Sequence, residues 1–286
     1  MSNKILIIGA TGKVGRQLSR LLIEKGEAVR AATRNLSTVS KRLPFVTETV
    51  EFDFDRPETF APALKGVKKV FLIARPGDNY ADKVAIPLVD MAKTEGIQLI
   101  VNLTAMGVER EDSFMLRILE RYIEASDIPY VHLRPNWFMQ NFSSGPMLAD
   151  ICTTGGLHLP ASDAKLSFVD IRDIASVASA VLTEPHHAGK AYTLTGGKAL
   201  DHYEVVDILS RICGKTITYV PLSEEVACEA LNKAGVAEDL IERWTKFYRI
   251  VRQGLCAAVT NDVESVLGRP PIAFEQYAHD HSAAWM

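Results

Sequence analysis

The stretch Gly9-Ala10-Thr11-Gly12-Lys13-Val14-Gly15 decides how this chain is read. An apolar run, Ile5 to Ile8, leads into it, and an amphipathic segment, Gln17 to Glu24, leads out. Strand, glycine-rich turn and helix in that order are the context a dinucleotide fingerprint requires. Gly9 is expected to allow the tight turn, Gly12 to let the backbone approach a pyrophosphate, and Gly15 to let helix and strand pack closely. The start of the helix then offers N–H groups and a positive dipole end to phosphate. Thr11, Lys13 and Val14 complete the expected cofactor-binding turn. A plain strand–helix connection is the bland alternative.

Outward from that turn, short β-branched runs alternate with longer helical patterns. Strands are expected over Lys4–Ile8, Ala28–Thr33, Thr49–Phe52, Lys69–Ile73, Leu99–Leu103 and Tyr130–Leu133. Helices are expected over Val14–Glu24, Ala81–Glu95 and Phe114–Ser126. Such alternation predicts an α/β fold, a doubly wound parallel sheet of Rossmann type with helices on both faces. Ile5–Ile8 and Leu99–Val101 read as continuous apolar runs, as strands buried on both faces should. After Pro135 the regularity weakens. Leu166–Val169 reads as a short strand, Ile171–Leu182 as a helix and Tyr192–Leu194 as a strand. Asp201–Cys213 reads as a helix ended by Gly214, Ser223–Ala234 as another, and Glu238–Leu255 as a helix open to a break. We therefore expect residues 1–135 to form the dinucleotide-binding core. Residues 136–286 should complete the sheet and form a small C-terminal α/β lobe on the substrate side.

At 286 residues the chain can bury a large core. Its net charge of −3 gives no reason to expect a nucleic-acid groove or a basic membrane patch. No apolar run approaches the ~20 residues that span a bilayer, and Met1-Ser2-Asn3-Lys4 runs straight into the first strand. A cytoplasmic protein is expected. Cys152, Cys213, Cys228 and Cys256 form no paired motif and read as small buried hydrophobes in a reducing compartment. His186-His187 and the pair His279 and His281 lack metal-ligand company, so no metal site is expected.

The end of the second strand normally chooses between the two nicotinamide dinucleotides. Here Thr33-Arg34-Asn35 carries no acid, and Arg34 stands where a guanidinium could pair with a 2′-phosphate. Thr33, Asn35 and Ser37 could add neutral donors. NADP(H) is expected ahead of NAD(H). Asp53, after the third strand, is expected near the adenine, with Asp55 read as an N-cap before Pro57. Ala74, in the turn Ile73-Ala74-Arg75-Pro76, should pass under the adenosine half.

With these residues assembled, the chain resembles the NmrA-like group of atypical short-chain dehydrogenases. The resemblance spans nearly the whole length. It rests on the Gly9 to Gly15 turn, Ala125-Ser126-Asp127-Ile128-Pro129-Tyr130 and Leu133-Arg134-Pro135-Asn136-Trp137-Phe138-Met139-Gln140-Asn141. Phe168-Val169-Asp170-Ile171-Arg172-Asp173-Ile174-Ala175 and the ending Gly268-Arg269-Pro270-Pro271 to Trp285 add to it. The group contains quinone and triphenylmethane reductases as well as redox-sensing regulators.

One departure from ordinary short-chain dehydrogenases matters. They use a Tyr-x-x-x-Lys pair, in which lysine lowers the tyrosine pKa. No tyrosine here has lysine four residues on, and Tyr130 has Arg134 there, within a strand. Some relatives instead place a lysine on the preceding helix, a position that falls on Leu116 here.

Two readings follow. The first is an NADPH-dependent reductase passing hydride to an electron-poor conjugated acceptor of quinone, dye-cation or iminium type, without that dyad. The second is a non-catalytic NADP(H) redox sensor acting on a regulatory protein partner. The reductase is the reading carried forward. A homodimer is left open under both.

Ligands of open α/β sheets bind beyond the strands' C-terminal ends. Thr104, after the fifth strand, is therefore expected beside the nicotinamide, either bonding ligand or capping its own turn. The resemblance puts Asn136, Trp137, Phe138, Met139 and Asn141 over the nicotinamide and substrate. Trp137 and Phe138 offer flat apolar faces for an aromatic acceptor, and Met139 adapts to irregular shapes. A buried aromatic cluster is the alternative for each. Thr104, Asn136 and Tyr80 are the candidate catalytic residues. Asp170 and Asp173 read as helix-start acids.

Overall fold

The computed structural model describes residues 4–74 and 80–286, apart from the side chains of Thr38 and Ser40. Arg75, Pro76, Gly77, Asp78 and Asn79 lie outside the described residues. The chain divides into two compact units. The first comprises residues 1–135, 171–194 and 265–268, and the second residues 136–170, 195–264 and 269–286.

The first unit opens β1 (Ile5–Ile8), α1 (Lys13–Glu24), β2 (Val29–Thr33), α2 (Val39–Arg42) and β3 (Glu48–Glu51). It continues with α3 (Phe60–Leu64), β4 (Lys69–Ile73), α4 (Ala81–Thr94) and β5 (Leu99–Leu103), then α5 (Met115–Ala125) and β6 (Tyr130–Pro135). Seven parallel strands, the last being β8 (Lys190–Leu194), run in the order β3-β2-β1-β4-β5-β6-β8. β1 is central and buried at all four positions. Leu6 and Ile8 join a core cluster with Phe60 of α3, Leu88 of α4 and Ile123 of α5. Strand alternation turns Ile5 and Ile7 to the opposite face. The order reverses at β1, whose C-terminal end leads into the glycine turn. That reversal is where such sheets hold ligands.

Chain 136–286 leaves this sheet and comes back to it. After α6 (Pro146–Thr154) and β7 (Gly156–Leu159), α7 (Ile171–Thr183) and β8 (Lys190–Leu194) add the seventh strand, paired from Val131↔Lys190 to Pro135↔Leu194. α7 packs beside α1.

The second unit contains α8 (His202–Cys213), β9 (Thr218–Pro221), α9 (Glu224–Lys233), α10 (Glu238–Arg252) and α12 (Phe274–Asp280); α11 (Asp262–Leu267), between the last two in sequence, is divided between the units at Glu264. β7 and β9 form a small parallel sheet. The α8 start is a capping box in which Asp201 accepts from the Glu204 N–H and Glu204 returns the bond. Gly214 ends that helix at φ +71°, a left-handed position that favours glycine.

Several expectations needed correction. Leu166–Val169 forms only isolated bridges, Leu166 with Leu200 and Val169 with Phe138. α10 is unbroken through Arg252. β7 and β9, each of four residues, escaped notice because such short runs lack a resolvable period. Cys152 is exposed on α6 rather than buried. Arg56, not Asp55, stands at the N-cap of the turn at Pro57–Thr59.

His202 lies fully buried among the rings of Phe142, Phe168 and Tyr219. Neither ring nitrogen has a hydrogen-bond partner among the described residues. Burial pushes this imidazole down to about 4. Unfolded, it titrates near about 6.5, so its contribution to stability is intact above that pH and lost as pH falls towards 4. The loss should reach about 2–3 kcal/mol near pH ~4.5. All three tryptophans, Trp137, Trp244 and Trp285, lie in the second unit, so their fluorescence reports it. Urea unfolding followed by tryptophan emission should show a shallower acid dependence in His202→Leu than in the native chain. Identical dependence would contradict the assignment.

Candidate functional site

Packing demands glycine at two positions of the turn after β1, Gly9 and Gly15. Gly9 adopts φ +72°, and a Cβ there would sit 2.8 Å from the Ile73 Cγ2. The Gly12 N–H donates to the Gly9 carbonyl at 2.9 Å, closing the turn. A Cβ on Gly12 would lie 3.1 Å from that same oxygen. At Gly15 it would lie 2.3 Å from the Gly9 oxygen and 2.8 Å from the Ala10 Cα, distances no side chain tolerates. α1 thus rests directly on the backbone of the turn. Gly12 caps the helix without a side chain, and the first turn holds no acid. The positive end of the helix is left for an anion. Gly9, Gly12 and Lys13 are exposed, Thr11 is half-buried, and Val14 is buried beneath them.

At the end of β2, Arg34 is exposed and makes no hydrogen bond or ion pair with the described residues. The neutral residues around it are occupied locally. Asn35 Oδ1 accepts from the Ser37 N–H at 3.0 Å and hydroxyl at 2.6 Å, capping a short turn. Asp53 is half-buried and its Oδ1 accepts from the Asp55 N–H at 3.2 Å, while its own N–H donates to Thr59 Oγ1 at 3.1 Å. These bonds build a turn between buried Phe52 and Phe54. Ala74 is buried at the end of β4. Tyr80 is exposed at the start of α4, with the Lys83 ammonium 5.0 Å from its ring centroid.

Thr104 closes β5. Its N–H donates to the Leu133 carbonyl at 2.8 Å, and its hydroxyl donates to Glu120 Oε1 at 2.8 Å. Glu120, on α5, has no exposure at all. Arg134 grips it from β6 through Nε to Oε1 at 3.0 Å and Nη2 to Oε2 at 2.7 Å. Arg117 Nη1 adds 2.7 Å to Oε2 and reaches Glu124 at 2.9 Å. Burial works to raise the Glu120 carboxyl, but Arg134 above all, with His132 and the Thr104 hydroxyl, holds it below the ordinary carboxylate range. Burial pushes neighbouring His132 down to about 4. Glu120, Glu124 and His132 bring ligand-type atoms within 4.8 Å of one another, but arginines already balance both carboxylates. Leu116 packs half-buried against the first unit's core.

Sequence reading missed Glu120 and its arginines. A signal existed: within Met115-Leu116-Arg117-Ile118-Leu119-Glu120, the acid falls on the apolar face that also carries Leu119 and Ile123. A charge on that face requires a partner.

In the second unit, Asn136 is buried and its Nδ2 donates to Ser167 Oγ at 2.7 Å and the Cys256 carbonyl at 2.8 Å. Both amide hydrogens are thereby committed to the fold. Met139 is buried in the unit's core cluster. Trp137 is half-buried, edge-on to Tyr248 at 5.3 Å. Phe138 and Asn141 are half-buried and retain accessible surface. Gln140 Nε2 donates to buried Asp170 at 2.9 Å.

The model of the NmrA-like family matches residues 1–254. This chain belongs to that family. It is 32% identical over 286 residues to the NAD(P)H azoreductase of Xenophilus azovorans, covering 98% of this chain and 99% of that protein. It is 31% identical to the (4-alkanoyl-5-oxo-2,5-dihydrofuran-3-yl)methyl phosphate reductase of Streptomyces griseus, over 98% of this chain and 99% of the other. Among solved structures, the triphenylmethane reductase of Citrobacter sp. superposes with a TM-score of 0.85 at 25% identity, covering 97% of this chain and 99% of that one. No described helix is long and apolar enough to cross a membrane.

The turn geometry makes a direct prediction about stability. Gly15→Ala should cost about 3 kcal/mol, because the Gly9-Ala10 backbone it meets cannot move aside, and Gly12→Ala less than about 1 kcal/mol. Thermal unfolding followed by circular dichroism checks this ranking. Equal melting temperatures for the two variants would contradict it.

Proposed function

We propose that this protein is an NADPH-dependent reductase that passes hydride to an electron-poor conjugated acceptor and leaves the accompanying proton to solvent. The observation that carries this reading is the state of Thr104. Its hydroxyl hydrogen is taken by the buried Glu120 carboxylate, and the chain holds no Tyr-x-x-x-Lys pair to act in its place. A carbonyl reduced to an alcohol needs a proton on oxygen as hydride arrives. Quinones, dye cations and iminium ions do not need one from the protein, since the new charge is delocalised or cancelled.

The residues fit the cofactor. A glycine turn with no room for a Cβ at Gly9 or Gly15, followed by an acid-free helix start, suits a pyrophosphate. Arg34, exposed and unpaired with the described residues, suits a 2′-phosphate through a charge-assisted contact. When bound, the reduced nicotinamide supplies the hydride. The protein's part is to hold donor and acceptor at about 3–3.5 Å and to exclude competing geometries. Phe138, Trp137 and Asn141 are proposed as acceptor contacts, since each keeps exposed surface. The relatives support this acceptor class: their names refer to azo compounds, triphenylmethanes and a conjugated furanone. A cytosolic setting supplied with NADPH is part of the proposal.

NADPH should bind more tightly than NADH, and Arg34→Ala should shrink that gap by about 10- to 100-fold. A titration showing NADH bound as tightly by the native protein would remove Arg34 from the site. The functional test is NADPH oxidation across quinones, azo and triphenylmethane dyes and iminium ions, against enzyme-free controls. Turnover of at least one class is expected. Tight NADPH binding with no turnover anywhere would overturn the reductase in favour of a redox sensor with a protein partner.

A further inference from the structure

A buried carboxylate that accepts four hydrogen bonds has no freedom left, and that fixes its neighbours too. Glu120 Oε1 takes the Thr104 hydroxyl and Arg134 Nε, while Oε2 takes Arg134 Nη2 and Arg117 Nη1. An ionised carboxylate can only accept. The hydrogen on Thr104 must therefore lie on the Glu120 side of its oxygen. The other acceptor within reach, the Leu133 carbonyl, stands at 3.5 Å, the outer limit for an O–H bond. Thr104 is itself half-buried at the C-terminal end of β5, and what its oxygen can offer a ligand is lone pairs only.

We propose that Glu120 is a positioning residue that makes Thr104 a hydrogen-bond acceptor for an amide N–H of the nicotinamide carboxamide. The inference rests on the NADPH-binding reading above and adds to it a specificity rule. An acceptor-only oxygen welcomes a carboxamide NH2 and repels a carboxylate in the same place. Arg134 sets the geometry, because its planar fork holds both Glu120 oxygens at once. Arg117 closes the assembly and spreads its charge to Glu124. The reaction itself gains no proton from this group.

The probe is NADP⁺ against its nicotinic acid analogue, which differs only in carrying a carboxylate for the carboxamide. Affinities are read by titration, without turnover. The native protein should prefer NADP⁺ by about tenfold or more, the equivalent of one hydrogen bond together with a repulsion avoided. Thr104→Val should lose most of that preference, and Thr104→Ser should keep it. Glu120→Gln should also lose it, and the double variant Glu120→Gln/Thr104→Val should lose no more than either alone. Should Glu120→Gln fail to fold, Arg134→Lys, which keeps the charge and loses the fork, should lower the preference in its place.

An unchanged preference in Thr104→Val overturns the proposal, as do additive losses in the double variant. Those outcomes leave the NADPH-binding reading standing. Failure of the native protein to bind either dinucleotide overturns both.

Discussion

The Gly9 carbonyl lies so close to the Gly15 Cα that no side chain fits between them, and the ligand-facing half of this protein depends on that approach. With α1 seated on the turn, the helix's first N–H groups face outward at the point where the sheet order reverses. A methyl group at Gly15 would lift the helix and turn its positive end away from that point. The same contact explains why Gly12 can serve as a cap with no side chain: the turn closes through its N–H to Gly9 instead. Local backbone packing thus leaves a helix start suited to an anion before any charged side chain takes part.

A second constraint lies at the other end of the expected ligand. Glu120 is a fully buried charge, and burying a carboxylate alone would cost several kcal/mol. Two arginines and a hydroxyl offset that cost, and in doing so they fix the direction of the Thr104 hydroxyl. The arrangement has a chemical consequence. The hydroxyl hydrogen of Thr104 is already committed to Glu120, so it is not available to a ligand.

Much of this was legible in the sequence, and the reasons are physical. β4 and β5 were read at their observed bounds because strands buried on both faces are largely apolar, here Val70–Ile73 and Leu99–Val101. The glycine turn was legible because glycine spacing reports backbone geometry directly. Gly214 and Asp201 mark the ends of α8 for the same reason. What stayed hidden depended on contacts distant in sequence. Asn136 reads as a free polar group until Ser167 and Cys256, far along the chain, claim its amide. Met139 reads as a pocket residue until the second unit's core closes around it. Glu120 reads as one more helix-surface acid unless its place on the apolar face is noticed.

The most direct test of the account is a single-turnover measurement of hydride transfer from NADPH to a triphenylmethane dye cation, followed across pH. Deuterium at the transferred position should slow the step, whereas solvent deuterium should not, and the rate should show no ionisation belonging to the protein. A protein pKa in that step, abolished by Thr104→Val or Tyr80→Phe, would contradict the account by showing that a side chain supplies the proton.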